Sequence, residues 1–119
     1  AYAGLVRQIF EVTINFMKSL AQIRVQLANG SYELSRHAFR RIVERNIGEL
    51  EIREAGHNVV IIEDYPADKY APSCLLLGYT VAVRPLHIQV SRADNSTLRI
   101  ITIYEPDLTE WEAGFTVRR

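Results

Sequence analysis

Leu86-His87-Ile88-Gln89-Val90-Ser91 and, six residues later, Leu98-Arg99-Ile100-Ile101-Thr102-Ile103-Tyr104 are the two runs whose reading decides the fold. Leu86 to Ser91 alternates apolar and polar residues, and Leu98 to Tyr104 alternates again, the period of a strand with one face buried. Asp94-Asn95 between them is a turn signal, so the two runs predict an antiparallel hairpin. With Asp94 and Asn95 as its central pair, His87 falls opposite Thr102 and Arg99 opposite Val90. His87, Gln89, Thr102 and Tyr104 then share a polar face, and Leu86, Ile88, Ile101 and Ile103 an apolar one.

Working outward, Pro85 stands where a strand can begin, because its missing N–H does least harm there. Cys74-Leu75-Leu76-Leu77 is a continuous apolar run that predicts a central strand ended by Gly78. Asn58 to Glu63 is β-branched and too short for a helix, so it predicts a further strand, followed by a loop from Asp64 to Asp68. On the other side Glu105-Pro106-Asp107 breaks the sheet, and a turn of helix around Leu108 to Trp111 should fold back and bury the only tryptophan.

Upstream of His57 the period lengthens to that of helices. Leu5, Ile9, Val12, Phe16, Leu20, Ile23 and Leu27 form one stripe, predicting a helix from Gly4 to Ala28 that Asn29-Gly30 closes. Tyr32-Glu33-Leu34 is a short extended link. Ser35 caps a second helix over Arg36–Arg45, with Ala38, Phe39, Ile42 and Val43 on its core side, and Gly48 to Gly56 is a third. Helices followed by consecutive strands imply an α+β fold, the N-terminal helices packed on one face of a mainly antiparallel sheet.

The 119 residues suit one domain. Residue 1 is not Met, while Met17-Lys18-Ser19 reads as an ordinary start. The expectation is therefore a non-native or helical extension over 1–16 and a single α+β domain over 17–119. If the first helix is real, its outer half offers a surface for a homodimer. Fourteen Lys and Arg balance fourteen Asp and Glu, so no net field draws the chain to nucleic acid or to an acidic membrane. Arg7, Glu11, Lys18 and Arg24 interrupt the apolar N-terminal stretch, which removes a membrane span from the expectations. One cysteine, Cys74, allows no disulfide framework and points to a reducing, cytoplasmic setting.

His37, Arg41 and Arg45 stand at i, i+4 and i+8 and lie along one helical face. Three groups able to carry positive charge, set in a row, invite an anion, either a protein carboxylate or a phosphate. A solvated helix face is the plain alternative, and a histidine on a strand, as His87 is, more often makes structural hydrogen bonds than catalyses. The three histidines lack the spacing of a metal motif, so neither a metal nor a cofactor is expected. P-loop, G-x-G-x-x-G and G-x-S-x-G patterns are missing from the sequence.

Ser35-Arg36-His37-Ala38-Phe39-Arg40-Arg41-Ile42-Val43-Glu44-Arg45-Asn46-Ile47 resembles the H-A-x-x-R-x-x-x-R-G-I helix of an uncharacterised bacterial domain family. Ile62 to Pro66, Asp68-Lys69, Arg84 to Ile88 and Ile101 to Pro106 look like its later blocks. Asn46 replaces the usual Gly, and it too tolerates a left-handed cap. The resemblance implies a toxin of the broad RelE-like group, small α+β ribonucleases that work without metal and are often encoded beside zinc-finger antitoxins.

On that implication RNA and an antitoxin protein are the partners. His37 or His87 would serve as base, Arg41 and Arg45 with Thr102 would hold the phosphate, and Tyr104 or the other histidine would assist the leaving group. Such a site requires the second helix to lie beside the polar face of the hairpin. The alternative is a non-catalytic interaction domain or an inactive toxin-like fold, whose basic face docks an acidic segment of a partner.

Overall fold

The computed structural model describes residues 17–119. Its elements follow in the order α1 (Leu20–Asn29), β1 (Tyr32–Leu34), α2 (Arg36–Glu44), α3 (Glu49–Gly56), β2 (Val60–Tyr65), β3 (Ser73–Tyr79), β4 (Pro85–Ser91) and β5 (Leu98–Tyr104). The fold is α+β, as the change of period at His57 implies. One five-stranded sheet has the order β1-β5-β4-β3-β2. Every neighbouring pair is antiparallel except β1 with β5, which are parallel. Tyr32 to Leu34 is thus an edge strand rather than a link.

The continuous helix expected from Gly4 to Ala28 is interrupted at residues 17–19, and among the described residues the first helix starts at Leu20. Ser19 caps it: its hydroxyl accepts from the Gln22 amide at 3.2 Å, and the Gln22 side chain accepts from the Ser19 amide at 2.8 Å. Just before the cap the chain is held away from helix by a bridge between Met17 and Ala93 and by the Lys18 amide donating to the Arg92 carbonyl. Ile23 and Leu27 of the expected stripe are fully buried. The rest of the Gly4–Ala28 expectation, and the homodimer surface built on it, fall on residues 1–16, outside the described residues.

Ile23 and Leu27 of α1 join Ile52 and Ala55 of α3 over the sheet face made by Leu76, Leu86, Ile88, Val90, Leu98, Ile100 and Ile103. Each such fully buried aliphatic side chain contributes on the order of 1.5–3 kcal/mol. Close approach at two glycines brings these layers together. A Cβ on Gly56 would strike Leu27 of α1, and one on Gly78 of β3 would lie 2.5 Å from the Ala55 carbonyl oxygen.

The hairpin is real, but its register is two residues away from the expected one. His87 pairs with Tyr104, Ile88 with Ile103 and Gln89 with Thr102, and a bulge then sets Val90 opposite Ile100. A shift of two preserves the faces, so His87, Gln89, Thr102 and Tyr104 still stand together. The bulge changes the assignment of one residue: Ile101 turns out of the apolar face, and Ile100 enters the core in its place. In α2 only Ala38 and, partly, Ile42 face inward; Phe39 and Val43, expected in the core, are 59% and 67% exposed. The helix packs against β5 and the three-residue β1, too narrow a support to cover a wide apolar stripe.

Opposite the helices, the second sheet face is covered by the chain after β5. Asp107 to Trp111 forms a single turn, closed by the Trp111 amide on the Asp107 carbonyl at 3.0 Å, where a turn of helix was expected. Trp111 is buried to 1% exposure, as expected of it. No helix among the described residues is long and apolar enough to cross a membrane.

Candidate functional site

The α2 helix is pinned at both ends. At its start the Ser35 hydroxyl accepts from the Ala38 amide at 3.0 Å and donates to the Ile101 carbonyl at 2.7 Å, so one side chain both caps the helix and ties it to β5. At its end the Arg84 guanidinium donates to the carbonyls of Arg45 (2.9 Å) and Asn46 (3.0 Å). The same group pairs with Glu51 at 3.0 Å and Glu105 at 2.9 Å. Asn46 takes φ 51°, the left-handed conformation that its position after the helix requires.

This clamping lays the row His37, Arg41, Arg45 beside the hairpin. His37 lines a cavity of about 680 Å³ together with Gln89, Ser91, Arg99 and Ile101 of the hairpin and Tyr70 of the β2–β3 loop. Arg41 and Arg45 line a second hollow of about 280 Å³ with Tyr104, Glu105, Asp107 and Glu110. Helix and polar face are therefore neighbours. Thr102 sits half-buried opposite Gln89 and lines neither hollow.

His87 is different. It is wholly buried, its ring edge-on to Trp111 at 4.3 Å between centroids and to Tyr104 at 5.2 Å. Nε2 lies 2.8 Å from the Phe115 carbonyl, which can only accept, so that nitrogen carries the proton. In the neutral ring Nδ1 then accepts from the Tyr104 hydroxyl at 3.1 Å. Burial pushes the His87 pKa below its ordinary value, against the opposing pull of the Phe115 carbonyl, and it pushes the Tyr104 phenol up. Both ring nitrogens are occupied and no face is open to solvent. Here the geometry is that of a structural histidine which orients Tyr104.

The lid over His87 is fastened by Arg118. Its guanidinium grips Glu63 with two parallel hydrogen bonds (2.9 and 3.0 Å) and lies 4.5 Å over the Trp111 ring. Those hydrogen bonds hold the Glu63 carboxyl below the usual carboxylate range. Asp107 is likewise held low, chiefly by hydrogen bonds from Thr109, with the charge of Arg45 adding to the effect.

Glu105, Asp107 and Glu110 share this hollow with Arg41 and Arg45, but Arg41 pairs with Glu44 of its own helix at 3.9 Å and Glu105 with Arg84. Sequence reasoning misses these acids, although Glu105, Asp107, Glu110 and Glu112 stand close together after the last strand, a signal that could have found them. Arg84 and Arg118 had no such signal, since their partners are far away in sequence. Among the described residues no three His, Cys, Asp or Glu side chains gather as a metal set.

A family model described as "Domain of unknown function (DUF4258)" matches residues 34–105. The matched span runs from the end of β1 through β5 and so contains His37, Arg41, Arg45, His87 and Tyr104. Both α1 and the covering segment after Glu105 fall outside it. No curated protein matches the chain, and no solved structure does.

Proposed function

The chain belongs to the DUF4258 family of domains of unknown function, and from the face its matched segment builds we propose that it is a toxin-like ribonuclease of a toxin–antitoxin pair, cleaving RNA without a metal. The observation that carries this reading is the placement of α2: its row of His37, Arg41 and Arg45 runs beside the hairpin, and Tyr104 shares a hollow with both arginines. In the reaction His37 takes the proton of a ribose 2′-hydroxyl, and that oxygen attacks the adjacent phosphorus. Arg41 and Arg45 neutralise the charge that grows on the phosphoryl oxygens. Tyr104, whose phenol burial keeps protonated, turns its one hydroxyl proton away from His87 Nδ1 and gives it to the departing 5′-oxygen, leaving a 2′,3′-cyclic phosphate. His87 holds Tyr104 in place and is not the base.

The partners that accompany this reading are RNA and an antitoxin protein, in a cytoplasmic setting. A second reading has a specific observation in its favour: Glu105, Asp107 and Glu110 line one hollow with Arg41 and Arg45, and Arg41 already pairs with the Glu44 carboxylate, so carboxylates and these arginines share one surface. On that reading the domain is non-catalytic and docks an acidic segment of a protein partner. Cleavage of a mixed, structured RNA in EDTA, by the parent and by His37→Ala, separates the two. Parent-only cleavage supports the ribonuclease. If neither protein cuts, alone or with ribosomes, the ribonuclease reading fails and the row passes to the binding role.

A further inference from the structure

Tyr70 is 90% exposed, more than any other large apolar side chain among the described residues, and it borders the 680 Å³ cavity that His37 also lines. A tyrosine placed there does nothing for the core. Its neighbour Lys69 holds an ammonium 5.4 Å from the ring centre. Inside the cavity the Gln89 amide has a fixed sense. Ser73 donates its one hydroxyl proton to the Asp68 carboxylate at 2.6 Å, so Ser73 Oγ can only accept from Gln89, which presents Nε2 to it at 3.2 Å. Gln89 Oε1 is left as an acceptor with no protein partner among the described residues. Arg99 adds donors: its pairing with Glu33 is 3.4 Å long, and both side chains are more than half exposed, so the guanidinium exchanges partners at little cost.

We infer that this cavity is a nucleobase subsite, in which one unstacked base of a single-stranded RNA lies on the Tyr70 ring and is held at its edge by Gln89 and Arg99. The ligand class follows from the lining. A flat ring is needed for Tyr70, an N–H for Gln89 Oε1, and carbonyl or ring-nitrogen acceptors for Arg99, and a nucleobase carries all three on one plane. The cavity volume is ample for a base with its ribose. His37 lines the same cavity from the helix side, so a base seated here sets its own ribose near the proposed proton acceptor. The inference rests on the ribonuclease reading for the polymer, not for the binding of the base.

The test is titration of the full chain with the four nucleoside 3′-monophosphates, followed by backbone amide NMR, with ribose 3-phosphate and inorganic phosphate as probes lacking a base. Tyr70→Ala leaves the fold intact because the side chain is so exposed, and Tyr70→Phe keeps the ring. At least one nucleotide is expected to bind more tightly than both controls, shifting the amides around Tyr70 and Gln89. Tyr70→Ala should weaken it by about 5- to 100-fold, the range for one base–aromatic stack, and Tyr70→Phe should restore it. Nucleotides that bind no better than phosphate, or equally well to Tyr70→Ala, overturn the inference. Base binding without RNA cleavage would count against the ribonuclease alone, and cleavage indifferent to Tyr70 with no base binding against the subsite alone.

Discussion

Truncating His87 to alanine would remove a side chain that is wholly enclosed, hydrogen-bonded at both nitrogens and packed edge-on to two aromatic rings. Two consequences add. The Tyr104 hydroxyl and the Phe115 carbonyl lose their partner, at about 1–1.5 kcal/mol each. The cavity left beside Trp111 costs about 1–2 kcal/mol more. The sum is about 3–5 kcal/mol, and for a domain of this size each kcal/mol lowers Tm by about 3–5 °C. Urea denaturation followed by the fluorescence of Trp111, which the ring touches, and by far-UV circular dichroism measures it.

A pH dependence accompanies this, and its sign follows from burial. The folded-state pKa of His87 is depressed, so its contribution is fully present above the ordinary histidine value and is lost as pH falls through the folded-state value. The parent should therefore lose stability on acidification below about pH 6.5, and His87→Gln should lose less over the same interval. A loss under about 1 kcal/mol for His87→Ala, with wild-type pH dependence, would refute the assignment of a structural role.

Three further outcomes are expected. Gly78→Ala should destabilise by about 2 kcal/mol or more, because the new methyl meets the Ala55 carbonyl and Val59 in a closed interface; thermal unfolding reads this directly. Val83 is a β-branched residue at φ 65° and 71% exposed, so Val83→Asn should raise stability by about 0.5–1 kcal/mol in the same assay. The buried Tyr32 hydroxyl has no hydrogen-bond partner among the described residues, and Tyr32→Phe should therefore be neutral or stabilise by up to about 1 kcal/mol in urea.

How far the sequence carries is clearest at the hairpin. Strand identity and the sharing of a face by His87, Gln89, Thr102 and Tyr104 follow from alternation alone. Register depends on the turn, and Asp94-Asn95 is not a tight two-residue turn here. Lys18 donates to the Asn95 carbonyl at 2.6 Å and Gln26 to that of Ser96 at 3.1 Å, so the segment around α1 holds the loop open. Partners some 70 residues away leave no local mark. At α2 the row His37, Arg41, Arg45 was legible from spacing, and so was Ala38 as its inward residue. The exposure of Phe39 and Val43 was not, because it depends on how little sheet lies beneath them.

For His87 the type of chemistry was open in the sequence, and the covering segment closes it. Phe115 and Trp111 reach the ring through a turn whose landing place no periodicity reveals. That Tyr70, a loop residue beside Lys69 in sequence, borders one cavity with Gln89 and Arg99 follows only from the fold.

On the proposed function the α2 row performs chemistry on RNA and His37 starts it. The direct measurement is cleavage of structured RNA in EDTA by the parent and by His37→Ala, whose side chain is exposed and whose removal should leave Tm unchanged. Cleavage by the parent, ending in 2′,3′-cyclic phosphates and reduced at least 100-fold in the variant, is the predicted result. Equal cleavage by both proteins, or none by either even with ribosomes present, would contradict it.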